Sequence, residues 1–446
     1  MKRINIITLL LAGIFSGSML HAQETLTLQE AIKFALENKA EAKKSKLDLE
    51  DAQYKIDEVR AGALPQVNGS ASLTYNPMIQ KNVITMTDQA TGTVNTIVAE
   101  FGQPWNSQAV LQVNQQLFNQ SLFTGLKAAK TTREFYQIND QLTDEQLIEK
   151  VANAYYEVFQ SDLQLNTLET NLNNTTKTRD ILKGLVDAGL MKKIDLDRTE
   201  VAINNMLAQK QQLINAQQLR ENALKFAIGM DIREDIELPK ETFDVDVNVA
   251  AEQYNVDART EVKILEKQIE LLELNKKAKV SEFYPSLAFT GNLGYVGFGP
   301  QFPIFNDKTN TSKFSALGLN LTIPIFNGGA TRAKVNQANV DILKARVDLE
   351  DTKLGLNLAS ENAKSQIRNS LLTVDNNRRN VDLARQVLDD TNNNYRNGLA
   401  TLTELLDAEN ALSDAQNNLN TSLLNYKVAE IQLIKANGNL KTLVNE

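Results

Sequence analysis

Two hydrophobic patterns alternate along this chain. In four segments, residues 66–76, 105–118, 285–298 and 314–324, apolar residues occupy most alternate positions and small uncharged polar residues occupy most of the others. Strict alternation over about ten residues is typical of a β-strand with one apolar and one polar face. The longer stretches between these segments contain few glycines and prolines and are predicted to be helical.

The predicted helices are unusually long. Residues 119–186 and 328–394 each run without proline, and about 68 residues at a rise of 1.5 Å per residue extend about 100 Å. Each segment is predicted to turn at a Gly-Leu pair and to return as a helix of about 40 residues. A mainly leucine column at seven-residue spacing in the last helix favours close packing on neighbouring helices: Leu405, Leu412, Leu419, Tyr426, Leu433 and Leu440.

A shorter helix is predicted at residues 27–61. Thr27 and Glu30 have the three-residue spacing of a capping box, in which each side chain bonds the other residue's backbone N–H. Gly62 and Pro65 mark the end of this helix, because proline cannot continue one.

The predicted elements occur twice in the same order. Gly189-Leu190 is matched by Gly398-Leu399, and Leu117–Asn119 is matched by Ile325–Asn327, in each case about 210 residues later. A repeat of this length indicates a duplicated domain rather than a solenoid unit. The predicted divisions are residues 23–228 for the first repeat, 229–256 for a linker and 257–446 for the second repeat.

The four strands have the length and polarity of membrane strands. About 9–11 residues suffice for a tilted strand to cross a bilayer, and the polar face suits a water-filled lumen. Four strands are too few to close a barrel, and open strand edges are not tolerated in lipid, so several chains would share one barrel. Three chains would supply twelve strands. A soluble sheet packed on helices is the alternative interpretation. Aromatic residues near the strand ends resemble the interfacial girdles of membrane barrels: Trp105, Tyr75, Tyr295, Phe118 and Phe326.

The N-terminus has the pattern of an export signal. Met1–Arg3 is basic, residues 4–20 are mostly apolar, and Ala22 is a small residue suited to the position before a cleavage site. We predict a signal peptide at residues 1–22. No later segment has the 18 or more consecutive apolar residues expected of a membrane-spanning helix.

Composition narrows the range of functions. The 446-residue chain has no cysteine, which excludes thiol nucleophiles, cysteine-ligated metals and a lipidated N-terminal cysteine. Its one histidine, His21, lies in the predicted signal peptide, so the mature chain would lack histidine bases and ligands. The net charge is −8, and no basic patch indicates nucleic-acid binding. We expect no enzyme activity, cofactor or metal, and a structural, binding or transport role instead.

Several motifs resemble those of the TolC-like outer-membrane efflux proteins. Leu319–Gly329 resembles the family's strand-to-helix junction, Leu28–Asn38 its first helix, and Gly398–Ala408 a helix hairpin at its inner tip. In the first half, Phe118-Asn119-Gln120 lacks the double glycine of the family junction. The resemblance covers nearly the whole mature chain.

The resemblance implies a mainly α-helical fold with a membrane β-barrel part. In it, a duplicated helix-strand-strand-helix-helix repeat would form a homotrimer with a 12-stranded barrel that continues into a long helical periplasmic barrel. The implied function is the outer-membrane exit duct of a tripartite efflux or type I secretion system for small molecules or polypeptides. The implied partners are a periplasmic adaptor (membrane fusion) protein, an inner-membrane pump and outer-membrane lipid.

The resemblance also implies a pore gate at the periplasmic helix tips. Glu404 and Asp407 match acidic gate positions and lie three residues apart, on one helix face. Threefold symmetry would turn each into a ring of three carboxylates, which would attract cations. The alternative is a solvated pair at a helix start, favoured by the helix dipole.

Two further positions match residues with which the family locks its hairpins. These are Tyr395 and Asp195. Ala400 departs from the pattern, because relatives can carry arginine there. Lys192 and Lys193 are the candidate replacement cations, and their substitution by alanine is expected to raise single-channel conductance.

A second class of function stays open at this stage. A secreted coiled-coil structural or adhesive protein without a pore would account for the helices and their heptads. It would not account for the four alternating strands.

Overall fold

The computed structural model describes residues 25–87, 92–100, 102–239, 245, 255–302 and 310–444. The predicted signal peptide, His21 and most of the predicted linker lie outside these residues. The helices are α1 (Leu28–Asn38), α2 (Ala40–Ala61), α3 (Gln120–Asp187), α4 (Lys193–Ile228), α5 (Thr260–Val280), α6 (Ala330–Arg396) and α7 (Leu402–Asn437). The strands are β1 (Gln66–Tyr75), β2 (Lys81–Thr87), β3 (Val94–Glu100), β4 (Trp105–Phe118), β5 (Ser286–Gly299) and β6 (Asn310–Thr322).

The predicted fold class, mainly helical with a duplicated helix and strand order, is confirmed. Helices α3 and α6 have 68 and 67 residues, and α4 and α7 have 36 each. Each long helix follows a strand and precedes a 36-residue helix. In the described residues, no helix is both long and apolar enough to cross a membrane.

One four-stranded antiparallel sheet has the order β1-β4-β5-β6. Its register places like residues side by side. One row across the four strands consists of Val67, Val113, Gly291 and Leu317. The neighbouring row contains Asn68, Gln112 and Asn292. Since side chains alternate between faces, the sheet has one apolar and one polar face. Strands β1 and β6 form its two edges.

The segment between β1 and β4 is not one of the four segments predicted to be strands. It contains a separate antiparallel hairpin of β2 and β3, in which Val83 pairs with Val98 and Ile84 pairs with Ile97. These β-branched cross-strand pairs favour a strand conformation. Alternation is weak here, because apolar residues occur on both faces of the hairpin.

The predicted helix at 27–61 is interrupted. Lys39 has an extended backbone (φ −64°, ψ 136°) and separates α1 from α2. The Lys39 ammonium lies 3.6 Å from the centre of the Phe226 ring and donates to the Phe226 carbonyl at 2.5 Å. This carbonyl belongs to the last turn of α4, where a cation is stabilised by the helix dipole. The predicted capping box is present, with the Thr27 hydroxyl accepting from the Glu30 N–H.

The two junctions from strand to long helix differ, as the missing double glycine indicated. After β4 only Asn119 intervenes before α3, and its Oδ1 accepts the Ser121 N–H at 3.0 Å. After β6 the chain continues through Pro324 to Gly328 and Gly329, whose positive φ angles of 66° and 83° favour glycine.

The described residues divide between two compact units. One contains the described residues of Met1–Lys43, Thr143–Asn255 and Leu356–Glu446, and the other contains those of Lys44–Leu142 and Val256–Gly355, including the sheet. The first unit has its largest apolar cluster where α1 packs on α3, α4 and the C-terminal segment. Buried members include Ile32, Leu147, Ile148, Leu224, Ile228 and Ile431.

Candidate gate at the helix turns

The two turns that join the long and short helices share one backbone geometry. Gly189 and Gly398 have φ angles of 72° and 71°. Leu190 N donates to the Leu185 carbonyl, and Leu399 N donates to the Asn394 carbonyl, both at 2.8 Å. A left-handed glycine followed by this six-residue hydrogen bond is the usual way to end a helix sharply. Each half of the sequence therefore supplies one equivalent turn.

An apolar cluster lies beneath these turns. Leu182 of α3 and Leu402 and Leu405 of α7 are buried together, with Leu196 of α4 and Tyr395 of α6 packed against them. The cluster joins residues from both repeats. It fixes the position of the start of α7, whose first two turns carry the predicted acidic gate pair.

Glu404 closes a capping box at the start of α7. Its Oε2 accepts the Thr401 N–H at 2.6 Å and the Thr401 hydroxyl at 3.0 Å, and the Glu404 N–H donates to that hydroxyl at 3.3 Å. These bonds stabilise the ionised carboxyl, so the backbone N–H and hydroxyl of Thr401 lower the pKa of Glu404. Both Glu404 and Asp407 are exposed.

Tyr395 of α6 and Asp195 of α4 lie near each other at these turns. Tyr395 is half-buried, and its hydroxyl has no hydrogen-bond partner among the described residues. Burial, followed by the nearby Asp195 carboxylate, raises the pKa of Tyr395. Asp195 stands in the first turn of α4, where its charge is stabilised by the helix dipole.

The two candidate cations lie at the start of α4. Lys192 is the N-cap residue of α4 without a side-chain capping bond, and both Lys192 and Lys193 are exposed. Arg198, which sequence reasoning missed, contacts the second hairpin. Its guanidinium donates to the Thr403 hydroxyl at 3.3 Å. This contact joins the second turn of α4 to the first turn of α7.

A row of polar contacts links α3 to α7 behind the turns. Thr175 donates to the Glu409 carboxylate at 3.1 Å, Asn171 to Gln416 at 3.3 Å, and Asn420 to Thr167 at 3.2 Å. Burial raises the pKa of Glu409, while the Thr175 hydrogen bond opposes this shift. Mutual hydrogen bonds compensate these partly buried polar groups for the loss of water.

The aromatic residues predicted at strand ends lie toward both ends of the sheet, because Trp105 begins β4 and Phe118 ends it. Tyr75 and Trp105 pair across β1 and β4 with ring centres 4.6 Å apart, and Phe302 lies edge-on to Trp105 at 5.0 Å. Phe118 is near Phe123 at 6.3 Å. Tyr295 lies on β5, and Phe326 lies beyond β6; both side chains are exposed.

A family match covers both halves of this arrangement. Residues 31–230 and 257–439 match the family described as outer membrane efflux protein. This chain belongs to that family. The efflux protein is 23% identical to the outer membrane protein TolC of Escherichia coli strain K12 over 452 residues, which cover 97% of this chain and 86% of that protein. It is 24% identical to the toluene efflux pump outer membrane protein TtgI of Pseudomonas putida over 307 residues, or 66% and 62% of the two chains.

Solved structures share the fold of this efflux protein. A structure of CusC superposes with a TM-score of 0.74 at 18% identity and covers 93% of this chain and 92% of that one. The outer membrane protein VceC of Vibrio cholerae gives a TM-score of 0.70 at 19% identity, with 92% and 96% covered. The protein is thus an outer-membrane efflux channel rather than an enzyme. Within the described residues, no group of acidic or histidine side chains could hold a metal ion.

Proposed function

We propose that three copies of this efflux protein form one exit duct. A periplasmic adaptor and an inner-membrane pump deliver cargo to its periplasmic end. Small molecules or polypeptides are the proposed cargo. The observation that carries the proposal is the four-stranded sheet, whose edges β1 and β6 have no partner strand among the described residues. Unpaired edges are costly in lipid, and pairing β1 of one copy with β6 of the next satisfies both edges.

The exposed apolar face of the sheet supports this arrangement. Leu317, Leu319 and Leu321 of β6 are 79%, 69% and 58% exposed. Such a row is costly in water and is suited to contact with lipid acyl chains. A secreted coiled-coil protein without a pore has no use for this face, so the alternative function is not favoured.

Planar-bilayer recording tests the duct, combined with the oligomer mass of the same detergent-extracted sample. The proposal expects a trimer with a small, cation-selective conductance. A stable monomer that remains soluble without detergent and is silent in the bilayer would falsify it.

We further propose that the turns near Glu404 and Asp407 gate the duct. The capping role of Glu404 and its proposed role in a carboxylate ring can be separated by mutation. Glu404→Gln removes the charge but retains an oxygen that accepts the Thr401 N–H, whereas Thr401→Ala weakens the cap and leaves the charge unchanged.

We expect Glu404→Gln and Asp407→Asn to reduce cation selectivity, measured as the reversal potential in a salt gradient. Thr401→Ala should leave selectivity unchanged while lowering thermal stability by about 0.5–2 kcal/mol. If all three variants keep the selectivity of the wild type, the carboxylate-ring proposal fails and Glu404 is only a cap.

The bridge from Arg198 to Thr403 provides a test of hairpin locking. Arg198→Ala removes the only donor of this contact, so we expect the closed state to weaken and single-channel conductance to rise. Lys192→Ala and Lys193→Ala test the two cations first inferred from the sequence. Each removes one positive charge, as Arg198→Ala does, so the three variants can be compared directly. Equal conductance in Arg198→Ala and the wild type would exclude Arg198 as a lock.

A further inference from the structure

A cleft of about 410 Å³ lies between the start of α3, the end of α5 and residues 339–346 of α6, within the unit that contains the sheet. Its charged lining is predominantly basic: Lys276, Lys277 and Arg346 face a single acid, Glu273. This is unusual in a chain whose net charge is −8. The cleft therefore favours an anion.

The acid is already paired. Arg346 donates to Glu273 at 3.1 Å, which leaves the two lysine charges without a compensating carboxylate in the lining. Lys276 donates to the Asn339 Oδ1 at 2.8 Å. That amide is neutral, so it holds the ammonium in place without cancelling its charge, and two ammonium N–H donors remain for a ligand.

The rest of the lining is apolar and polar without charge. Val280, Ile342 and Leu343 line the cleft, and Tyr284 lies at the end nearest the sheet. Exposed aromatic side chains at Phe283 and Tyr284 immediately precede β5, which begins at Ser286. A charged end joined to an apolar wall is complementary to an amphiphile with an anionic head.

The position of the cleft identifies that amphiphile. Lys277 precedes the first residue of β5 by a distance on the order of 10 Å along the chain. If β5 spans the hydrocarbon core, the aromatic pair lies at its boundary and the lysines reach the polar headgroup layer, which is several ångströms thick. Lysine side chains commonly extend along apolar surface to place their ammonium group there.

We propose that this cleft binds the phosphate headgroup of an anionic phospholipid from the periplasmic leaflet, with its acyl chain directed toward the sheet. The inference rests on the proposed membrane position of the strands. Lys276 and Lys277 provide the cationic contacts, and Val280 and Leu343 provide the apolar wall.

Native mass spectrometry of the full-length protein, extracted in detergent and supplied with phosphatidylglycerol or phosphatidylcholine, tests the proposal. The wild type should retain phosphatidylglycerol at least fivefold better than phosphatidylcholine. The double variant Lys276→Gln/Lys277→Gln should lose that preference. Lys344→Gln is the matched control, because this exposed lysine of α6 pairs with Asp341 at 3.7 Å outside the cleft lining.

Inorganic phosphate distinguishes the source of the anion. If millimolar phosphate does not displace the lipid, the result supports a lipid site. If phosphate displaces the lipid and the cleft shows no preference for a ligand with an acyl chain, the cleft binds a soluble anion and the proposal is overturned. Equal lipid retention by the wild type and the double variant also overturns the proposal. Oligomer mass and conductance of the same variants separate this failure from a failure of the duct, since a trimer that conducts normally leaves the proposed function intact.

Discussion

Acidic side chains of the helical hairpins occupy different environments, and these determine their protonation. Glu404 is exposed and accepts two bonds from Thr401, so its pKa is lowered. Asp162 of α3 is half-buried and accepts a hydrogen bond from Gln217 of α4 at 2.5 Å. Burial, and then the charge of Glu221, raise the pKa of Asp162 from 3.8 to about 6. Similar carboxyl groups can therefore act as a cap or as a source of pH sensitivity.

Asp162 predicts a specific dependence of stability on pH. Because its pKa is higher in the folded state, the folded chain binds the proton more tightly, and stability falls as pH rises from about 4 to 6. We expect Asp162→Asn to remove this cost, which is on the order of 1 kcal/mol above pH 6 after allowance for solvent screening. The apparent melting temperature should rise at pH 7.5 and not change at pH 3.5.

Glu221→Gln is the companion variant for this measurement. It removes the repulsive charge but not the burial of Asp162, so it should shift stability in the same direction by a smaller amount. Parallel pH profiles for the wild type and Asp162→Asn would contradict the assignment.

At the scale of helices and strands, a glycine at the end of α4 permits a close approach to the break between α1 and α2. Gly229 has a φ of 80°, and a Cβ placed there would lie 3.0 Å from the Lys39 Cα and 3.1 Å from its N. These are backbone atoms, so they cannot move aside as a flexible side chain could.

Gly229→Ala is therefore expected to combine two costs. A left-handed alanine costs about 1–2 kcal/mol, and the overlap with Lys39 adds about 1–3 kcal/mol. Gly189→Ala is the control, because Gly189 has a φ of 72° with no neighbour within 4 Å of the added Cβ. Thermal unfolding should show a clearly larger loss for Gly229→Ala, and equal losses would show that the contact is unimportant.

Local patterns predicted local structure well at this scale. The alternation of apolar and polar residues predicted the strands of the large sheet. The spacing of Thr27 and Glu30 predicted a capping box, which is present. The break at Lys39 has no local signal, because it depends on Phe226 and Gly229, which are distant in sequence. The β2–β3 hairpin was missed because apolar residues on both faces obscure the two-residue period.

At the scale of the whole molecule, the two faces of the sheet should respond differently to charge. Leu319 and Asn320 are consecutive residues of β6 and lie on opposite faces. In a lipid-facing position, arginine costs about 2–4 kcal/mol near the bilayer midplane. We expect Leu319→Arg to reduce the amount of the proposed trimer severalfold, measured as a heat-modifiable band in outer-membrane fractions.

Asn320→Arg is the matched variant and should assemble normally, because a charge is tolerated in a wet lumen. Equal assembly of both variants would contradict the proposed orientation of the sheet.

At this scale the candidate gate could be predicted only in part from the sequence. The motifs placed Glu404, Asp407, Tyr395 and Asp195 near the turns, and the roles of these residues stay predictions. Arg198 was not found, because its contact with Thr403 joins the two repeats across 205 residues and has no motif. Such a contact depends on how the hairpins pack, which periodicity alone does not encode.

The strand order of the sheet also has a consequence for biogenesis. The central pair of the sheet, β4 and β5, is separated in the chain by α3, α4 and α5. If the chain is exported from its N-terminus, β1 and β4 are translocated well before β5. Until β5 follows, the apolar side chains of β1 and β4 stay exposed to water. Closing so large a loop is slow, and such a waiting intermediate is prone to aggregation. The rate of maturation should therefore depend on chaperones that protect the first repeat until the second has arrived.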